Sequence, residues 1–500
     1  MILAIDQGTT GTNCLVFDEH IEPIGRAYRE FTQHFPRPGW VEHDAREIWE
    51  LTMAVAGEAL QDAGVRSGDL DALGIANQRE TVCVWDRDSG EPLHHAIVWQ
   101  DRRTAARSEQ LREQGHEALV RARTGLVLDP YFSATKIEWL LEHVDGLRER
   151  ARAGRALFGT VDSWLIFKLT GEHVTDVTNA SRTLLYDIGE GRWDAELLEL
   201  FGVPERALPR VLASAGPFGQ TRADAMHGHA VTVSGVAGDQ QAALFGHGCV
   251  DPGMGKNTYG TGSFVLINAG FTVPQPPPGL LATAACGVGS SRAYALEASI
   301  FVTGAAVQWL RDGLQIIERA EQTEALAREL DGNDGVYFVP ALTGLGSPHW
   351  DPHARGTIVG LTRGSSRAHI ARATLEAIAY QTVDAVRAME AASPQPLSEL
   401  CADGGASTNE WLMQFQADVL GIPVALGEIV EMTALGAAYL AGVGAGLWTV
   451  DDVRGGHGRL AARERRRCEP RMSEDERAGL LAGWADALAR ARGSSWAEPE

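Results

Sequence analysis

A chain of 500 residues is too long for one hydrophobic core and points to roughly two to four domains, each able to bury its own. Its apolar share of 44% and charged share of 22% match ordinary globular usage and exclude a disordered, collagen-like or membrane-embedded class. Sixty-six acidic against 44 basic side chains leave a formal charge of −22, which repels a phosphate backbone and excludes nucleic acid as an expected partner.

Such a chain has to hold any anionic ligand locally, with backbone N–H groups, a few basic side chains or a divalent cation. Met1 leads directly into the apolar run Ile2 to Ile5, too short for a secretory segment, and no stretch approaches a membrane span, so a cytoplasmic location is expected. Ile2 to Ile5 reads as a strand, Asp6-Gln-Gly-Thr-Thr-Gly11 as a polar tip, and Cys14 to Phe17 as the returning strand. A Gly/Thr turn lets consecutive N–H groups converge on phosphate oxygens, and Asp6 beside it can hold Mg²⁺ directly or through its waters. Ordinary hairpins close the same way, which leaves a structural reading open.

Further on, the apolar Val231 to Val236 stops at Gly238-Asp239-Gln240-Gln241 before helix-like Ala242 to Phe245. There Asp239 on its own reads as a helix cap. A second Gly/Thr tip, Asn257 to Gly262, precedes strand-like Phe264 to Ile267, and neither tip is a Walker A loop. The two tips suggest related halves that meet near Gly246 to Gly255. Pro274 to Pro278 reads as a surface loop and the run Arg463 to Arg467 as a solvated face. Asp403-Gly-Gly-Ala406 links an apolar strand to a helix bearing Trp411, Leu412, Phe415 and Val419, where glycine permits either close approach of an adenosine or simply a tight turn. The six cysteines are scattered, with no CxxC pair and no zinc-ligand spacing, as expected of reduced thiols. Short apolar runs alternating with helical periods make the fold class α/β.

The stretches Asp6-Gln-Gly-Thr-Thr10, Pro38 to Asp44, Asn77-Gln-Arg-Glu-Thr81, Asp129-Pro-Tyr-Phe-Ser133 on to Lys136, and Ala237 to Gln241 stand in an order and spacing that resemble the FGGY family of carbohydrate kinases. Lys256 to Gly262, Thr343 to Gly346, Trp350-Asp-Pro352 and Gly360 to Gly364 extend the resemblance to about residue 450. It implies two ribonuclease-H-like domains of the actin and hexokinase type with an interdomain active-site cleft. The expected bounds are residues 1–248 for the first domain, 249–445 for the second and 446–500 for a C-terminal helical tail.

Within the family, the motifs are similar to those of members that phosphorylate glycerol, which implies Mg²⁺-assisted transfer from ATP and a homodimer or homotetramer. By matching position, the resemblance makes Asp239 the general base and gives Arg79, Glu80, Trp99, Tyr131, Gln240 and Phe264 to glycerol beside it. It gives Thr9, Thr10, Gly11, Asn13, Thr261, Gly304, Gln308, Gly405 and Asn409 to ATP, and Asp6 with Asp239 to Mg²⁺, directly or through water. Read alone, Arg79-Glu80 is a surface ion pair and the aromatics are core. The chain departs from the family at Asn13, where an arginine is usual, which alters the grip on ATP. Arg222 to His229 lacks the Gly-rich loop that binds an inhibitory sugar bisphosphate, and Pro470 to Glu476 differs from the segment that docks a phosphotransferase regulator. A kinase for another polyol, or an actin-like nucleotide sensor without turnover, are the rival readings; the acidic Asp239 speaks against the second.

Overall fold

Residues 2 to 5 contain no side chain that seeks water, and all four are buried at the centre of a sheet. The computed structural model describes residues 1–492 except 227, 290, 394, 428, 430, 456–457 and 461–465; His227 and residues 463–465 of the expected solvated run lie outside the described residues.

Two mixed sheets share one topology. The first comprises β1 (Ile2–Gln7), β2 (Gly11–Phe17), β3 (Pro23–Glu30), β4 (Ala72–Asn77), β5 (Ala215–Gln220) and β6 (Thr232–Gly238), in the order β3-β2-β1-β4-β6-β5. The second comprises β7 (Gly255–Tyr259), β8 (Ser263–Gly270), β9 (Leu281–Ala284), β10 (Tyr294–Ile300), β11 (Leu400–Asp403), β12 (Val424–Leu426) and β13 (Arg466–Cys468), in the order β9-β10-β8-β7-β11-β12-β13. In each, an antiparallel meander is followed by two parallel strands and an antiparallel edge strand. This is the repeated ribonuclease-H-like order, and both expected Gly/Thr tips close its first hairpin.

The helices that matter for the site are α1 (Ala45–Asp62), α2 (Ser133–His143), α3 (Val161–Thr170), α4 (Val177–Ala180), α5 (Asp239–Gly246), α6 (Gly304–Gln308), α7 (Arg367–Glu390), α8 (Glu410–Leu420), α9 (Met432–Gly444) and α10 (Glu474–Arg492). Successive residues of β1 face opposite sides of the sheet. Leu3 and Ile5 pack with Ile48, Val55 and Leu165 of α1 and α3, and Ile2 and Ala4 pack with α5 and α9. The second sheet buries one face against α7, α8 and α10. Its other face meets Leu244 of α5, so the helix that begins at Asp239 is wedged between the two sheets.

Helix α9 comes from the second half of the chain yet lies on the first sheet. Its Ala/Gly-rich sequence allows this: a Cβ on Gly436 would stand 1.8 Å from the Ala242 carbonyl oxygen, and one on Gly74 would stand 2.2 Å from that of Ala437. The segment expected as a helical tail is not only helical. β13 completes the second sheet at its edge, and Trp484, Ala487 and Leu488 of α10 enter that domain's core, because the apolar face of α10 has nowhere else to be buried. Arg466 and Arg467 of the charged run are exposed on that edge strand. Among the described residues no helix is long and apolar enough to cross a membrane, and no disulfide is formed.

Candidate active site

Parallel neighbours end at the same edge of a sheet. Gln7 pairs with Asn77 and Asn77 with Gly238, so the loops after β1, β4 and β6 bring Gly8 to Thr10, Gln78 to Glu80 and Asp239 together. In the second sheet Thr258 pairs with Asp403, which brings the Tyr259–Gly262 tip beside Gly404 and Gly405. Loops at the carboxyl ends of parallel strands are where α/β folds place ligands.

The capping alternative for Asp239 is not realised. Gly238 occupies the cap, and Asp239 is the first helical residue, its carboxylate accepting from the Gln240 amide at 2.7 Å. Its side chain remains 30% exposed, 3.2 Å from Nε of the buried Arg79. The surface-pair reading of Arg79-Glu80 also fails, since both side chains are only 2% exposed. Glu80, at a left-handed φ of 63°, accepts from Arg182 Nε at 2.6 Å. Burial raises its pKa although Arg182 and Arg79 oppose the shift.

The three aromatics are half-buried, with Tyr131 and Phe264 packed against the edges of core clusters. Trp99 meets Tyr131 edge to face at 5.5 Å and donates from Nε1 to Thr9 Oγ1 at 2.8 Å, which joins this aromatic wall to the first Gly/Thr tip. Lys136, fully buried in α2, donates to the carbonyl oxygens of Tyr131 and Phe132 at 2.6 and 2.9 Å and so holds the loop carrying Tyr131; burial pulls its pKa down to about 7. Phe264 faces the Arg79 guanidinium at 5.9 Å from the opposite half.

Asp6, half-buried at the end of β1, has a carboxyl pushed up to about 7 by desolvation, then by Asp239 and Glu431. Two mutually repelling carboxylates form a place for a cation, and no group of three or more His, Cys, Asp or Glu able to hold a metal occurs among the described residues. Two carboxylates alone fit a Mg²⁺ that would keep much of its hydration better than an all-protein metal cage. Asn13 pairs with Asp6 across the hairpin, and its Oδ1 is buried without a hydrogen bond.

Of the residues that the family resemblance gives to ATP, Thr10, Thr261, Gln308 and Gly405 are exposed and Thr9, Asn13, Gly304 and Asn409 half-buried; only Gly11 is fully buried, in β2. The Gly304 amide donates to Gly260 O at 3.0 Å, and a Cβ there would stand 2.7 Å from that oxygen, so glycine is needed for the approach. Asn409 has a structural task as well: its side chain caps α8 by accepting from Leu412 N at 2.9 Å.

Several participants were not expected from the sequence. Lys256, in β7, hydrogen-bonds Gln240 and donates to Thr258 Oγ1 at 2.7 Å, tying the halves together; burial lowers its pKa to about 8. Arg182 and Glu297 complete a buried cluster with Arg79 and Glu80. Behind it, Asp176 caps α4 and binds Thr178 and Asn179; Thr178 Oγ1 accepts from the Gly238 amide at 2.8 Å, and Asn179 exchanges bonds with Asn77 at 2.9 and 3.0 Å. One acidic hub thus braces the loops of both Arg79 and Asp239. A lone charge within an apolar strand, as in Tyr294-Ala-Leu-Glu-Ala-Ser-Ile300, was the signal that could have found Glu297.

Residues 1–246 match the N-terminal domain of the FGGY family of carbohydrate kinases and residues 255–445 its C-terminal domain. A glycerol kinase of Deinococcus radiodurans is 54% identical over 98% of this chain and 97% of its own, and glycerol kinase 2 of Thermotoga maritima is 51% identical over 98% and 99%. The crystal structure of Plasmodium falciparum glycerol kinase with ADP superposes with a TM-score of 0.93 at 34% identity, covering 98% of both chains. With both halves matched and whole-chain relatives well above the level at which kinship is secure, the chain belongs to the FGGY family of carbohydrate kinases.

Proposed function

We propose that the chain moves the γ-phosphoryl group of ATP to a terminal hydroxyl of glycerol, giving ADP and sn-glycerol 3-phosphate, with Asp239 as the base. The observation that carries the reading is a partly exposed carboxylate beside a buried arginine, at the strand edge where the first Gly/Thr tip meets the Arg79 loop and where Lys256 and Glu297 reach in from the other half. Full-length likeness to glycerol kinases supports glycerol as the acceptor.

Glycerol has no charge, so the pocket orients it with hydroxyl-binding groups and an apolar wall. Arg79, Glu80 and Tyr131 take the hydroxyls, Gln240 assists, and Trp99 with Phe264 packs against the carbons. Asp239 accepts the proton of the attacking hydroxyl as its oxygen bonds to the γ-phosphorus and the bond to the β-γ bridging oxygen breaks, the electron pair leaving with ADP. Thr9, Thr10, Gly11 and Thr261 donate to the phosphates, Asn13 stands at the usual arginine position, and Gly304, Gln308, Gly405 and Asn409 border the nucleoside. Asp6 and Asp239 would hold Mg²⁺, which would supply neutralisation of phosphate charge when bound. Most of the acceleration comes from alignment and charge stabilisation, with the base worth about 10²–10⁴-fold.

The test is ATP consumption with Mg²⁺ on glycerol, erythritol, dihydroxyacetone, xylulose and gluconate, beside Asp239→Asn. Glycerol-preferring turnover lost in the variant is the expected result. Turnover confined to another polyol, or retained by the variant, would refute the acceptor or the base respectively.

A further inference from the structure

Glu297 is the one charged residue of β10 and is fully buried, although that strand belongs to the half that carries the nucleotide-side tip. Its carboxylate reaches across to the other half. One oxygen accepts from Arg79 Nη1 at 2.5 Å; the second accepts from Arg79 Nη2 at 3.2 Å and from Arg182 Nη2 at 3.0 Å. The Arg79 guanidinium is thereby turned so that its remaining nitrogen, Nε, faces Asp239 at 3.2 Å, while Nη1 also donates to Gln241 at 3.2 Å. Arg182 in turn holds Glu80. The four side chains alternate in charge and sum to zero, so the Asp239 charge is the one left over in the cluster, facing Arg79 Nε. Burial alone would raise the Glu297 carboxyl, yet Arg182 and Arg79 hold it down at about 2.

We propose that Glu297 is a positioning residue for the acceptor pocket: from the opposite domain it fixes the orientation of Arg79, and through Arg182 that of Glu80. The acceptor grip is then complete only when the two domains stand as they do here. Arg79 cannot be held this way from within its own half, because Asp239 takes Nε and Glu80 is 3.8 Å away and spent on Arg182. A bidentate contact is what fixes the plane of a guanidinium, and Glu297 makes it. The inference rests on the kinase reading above, since it assigns Glu297 to the acceptor side of that reaction.

Glu297→Gln keeps the shape and removes the charge. The expected result is a rise of roughly 10- to 100-fold in KM for the acceptor polyol, the effect of losing one charge-assisted contact, while ADP affinity by calorimetry stays within about twofold. A merely structural role would lower both together. Arg79→Lys is expected to weaken the polyol by much less in the Glu297→Gln background than in the unmodified chain, because Arg79 has already lost its orientation there. If Glu297→Gln does not fold, Glu297→Asp serves, with a smaller rise in the same direction. The polyol that the unmodified chain turns over best is used throughout. An unchanged polyol KM, an equal loss of ADP binding, or full additivity with Arg79→Lys overturns the proposal alone; absence of turnover on every polyol overturns it together with the kinase reading.

Discussion

Replacing His247 by glutamine removes one end of a buried pair that ties the chain after α5 to the strand end before Gly404. Its Nε2 stands 2.6 Å from an Asp403 carboxylate oxygen, and the two side chains are 0% and 7% exposed. Burial opposes charge on both, but the hydrogen bond between them prevails, raising the pKa of His247 and lowering that of Asp403. Loss of a charge-assisted bond costs about 1.5–3 kcal/mol, and a buried carboxylate stripped of its partner up to about 5. Glutamine keeps a donor, and Lys256 still attracts Asp403, so the lower range applies: about 2 kcal/mol, or roughly 4–8 °C in Tm for a domain-sized cooperative unit.

The pH dependence has a definite sign. Because the folded-state pKa of His247 lies above its unfolded value, its contribution is complete below about pH 6.5 and is lost as pH rises through the folded pKa. Glutamine does not titrate. Thermal unfolding of both proteins from about pH 6 to about pH 9 is therefore expected to show the largest Tm gap at the acid end and a shrinking one above. A gap that is constant or grows with pH would refute the ion-pair reading.

Gly436→Ala is expected to destabilise by about 1–3 kcal/mol or more, read in a denaturant melt, because its Cβ meets the rigid Ala242 carbonyl rather than a mobile side chain. Thr178→Val leaves the Gly238 amide buried without its acceptor. With Asp239 next in the chain, steady-state kinetics should show kcat falling by more than KM for ATP rises. For Lys136 the folded pKa is about 7 against 10.5, so the unfolded chain binds the extra proton between those values and this residue makes stability rise with pH there. Lys136→Met should remove that rise, which paired melts at about pH 7.5 and about pH 9.5 detect.

Much of the frame was open to reading along the chain because it is written in local patterns. An apolar run followed by Asp-Gln-Gly-Thr-Thr has to be a strand and its turn, and Val231 to Gly238 followed by a helical period has to end a strand beneath a helix. The motifs around Arg79, Tyr131 and Asp239 singled out those positions, although on their own they read as a surface pair, a core ring and a helix cap. Burial removed the surface pair and the Gly238 cap removed the helix-cap reading. Once β1, β4 and β6 lie side by side, three loops far apart in sequence must share one edge.

Other features depended on contacts that no local pattern encodes. Arg79 and Glu297 are separated by 218 positions, and nothing near either names the other. Helix α9 carries the periodicity of any buried Ala/Gly helix, and only the clearance above Gly74 and Gly436 shows that it crosses to the first sheet. The supposed tail gave up β13 because a three-residue strand has too few residues to display a period, and it exists only where β12 offers an edge to pair with. Secondary structure and motif chemistry are set by neighbours within a few residues, so they can be read from the chain. The burial that turns Arg79, Glu80, Arg182 and Glu297 into one neutral cluster is a property of two sheets meeting, and it arises only when the halves pack together.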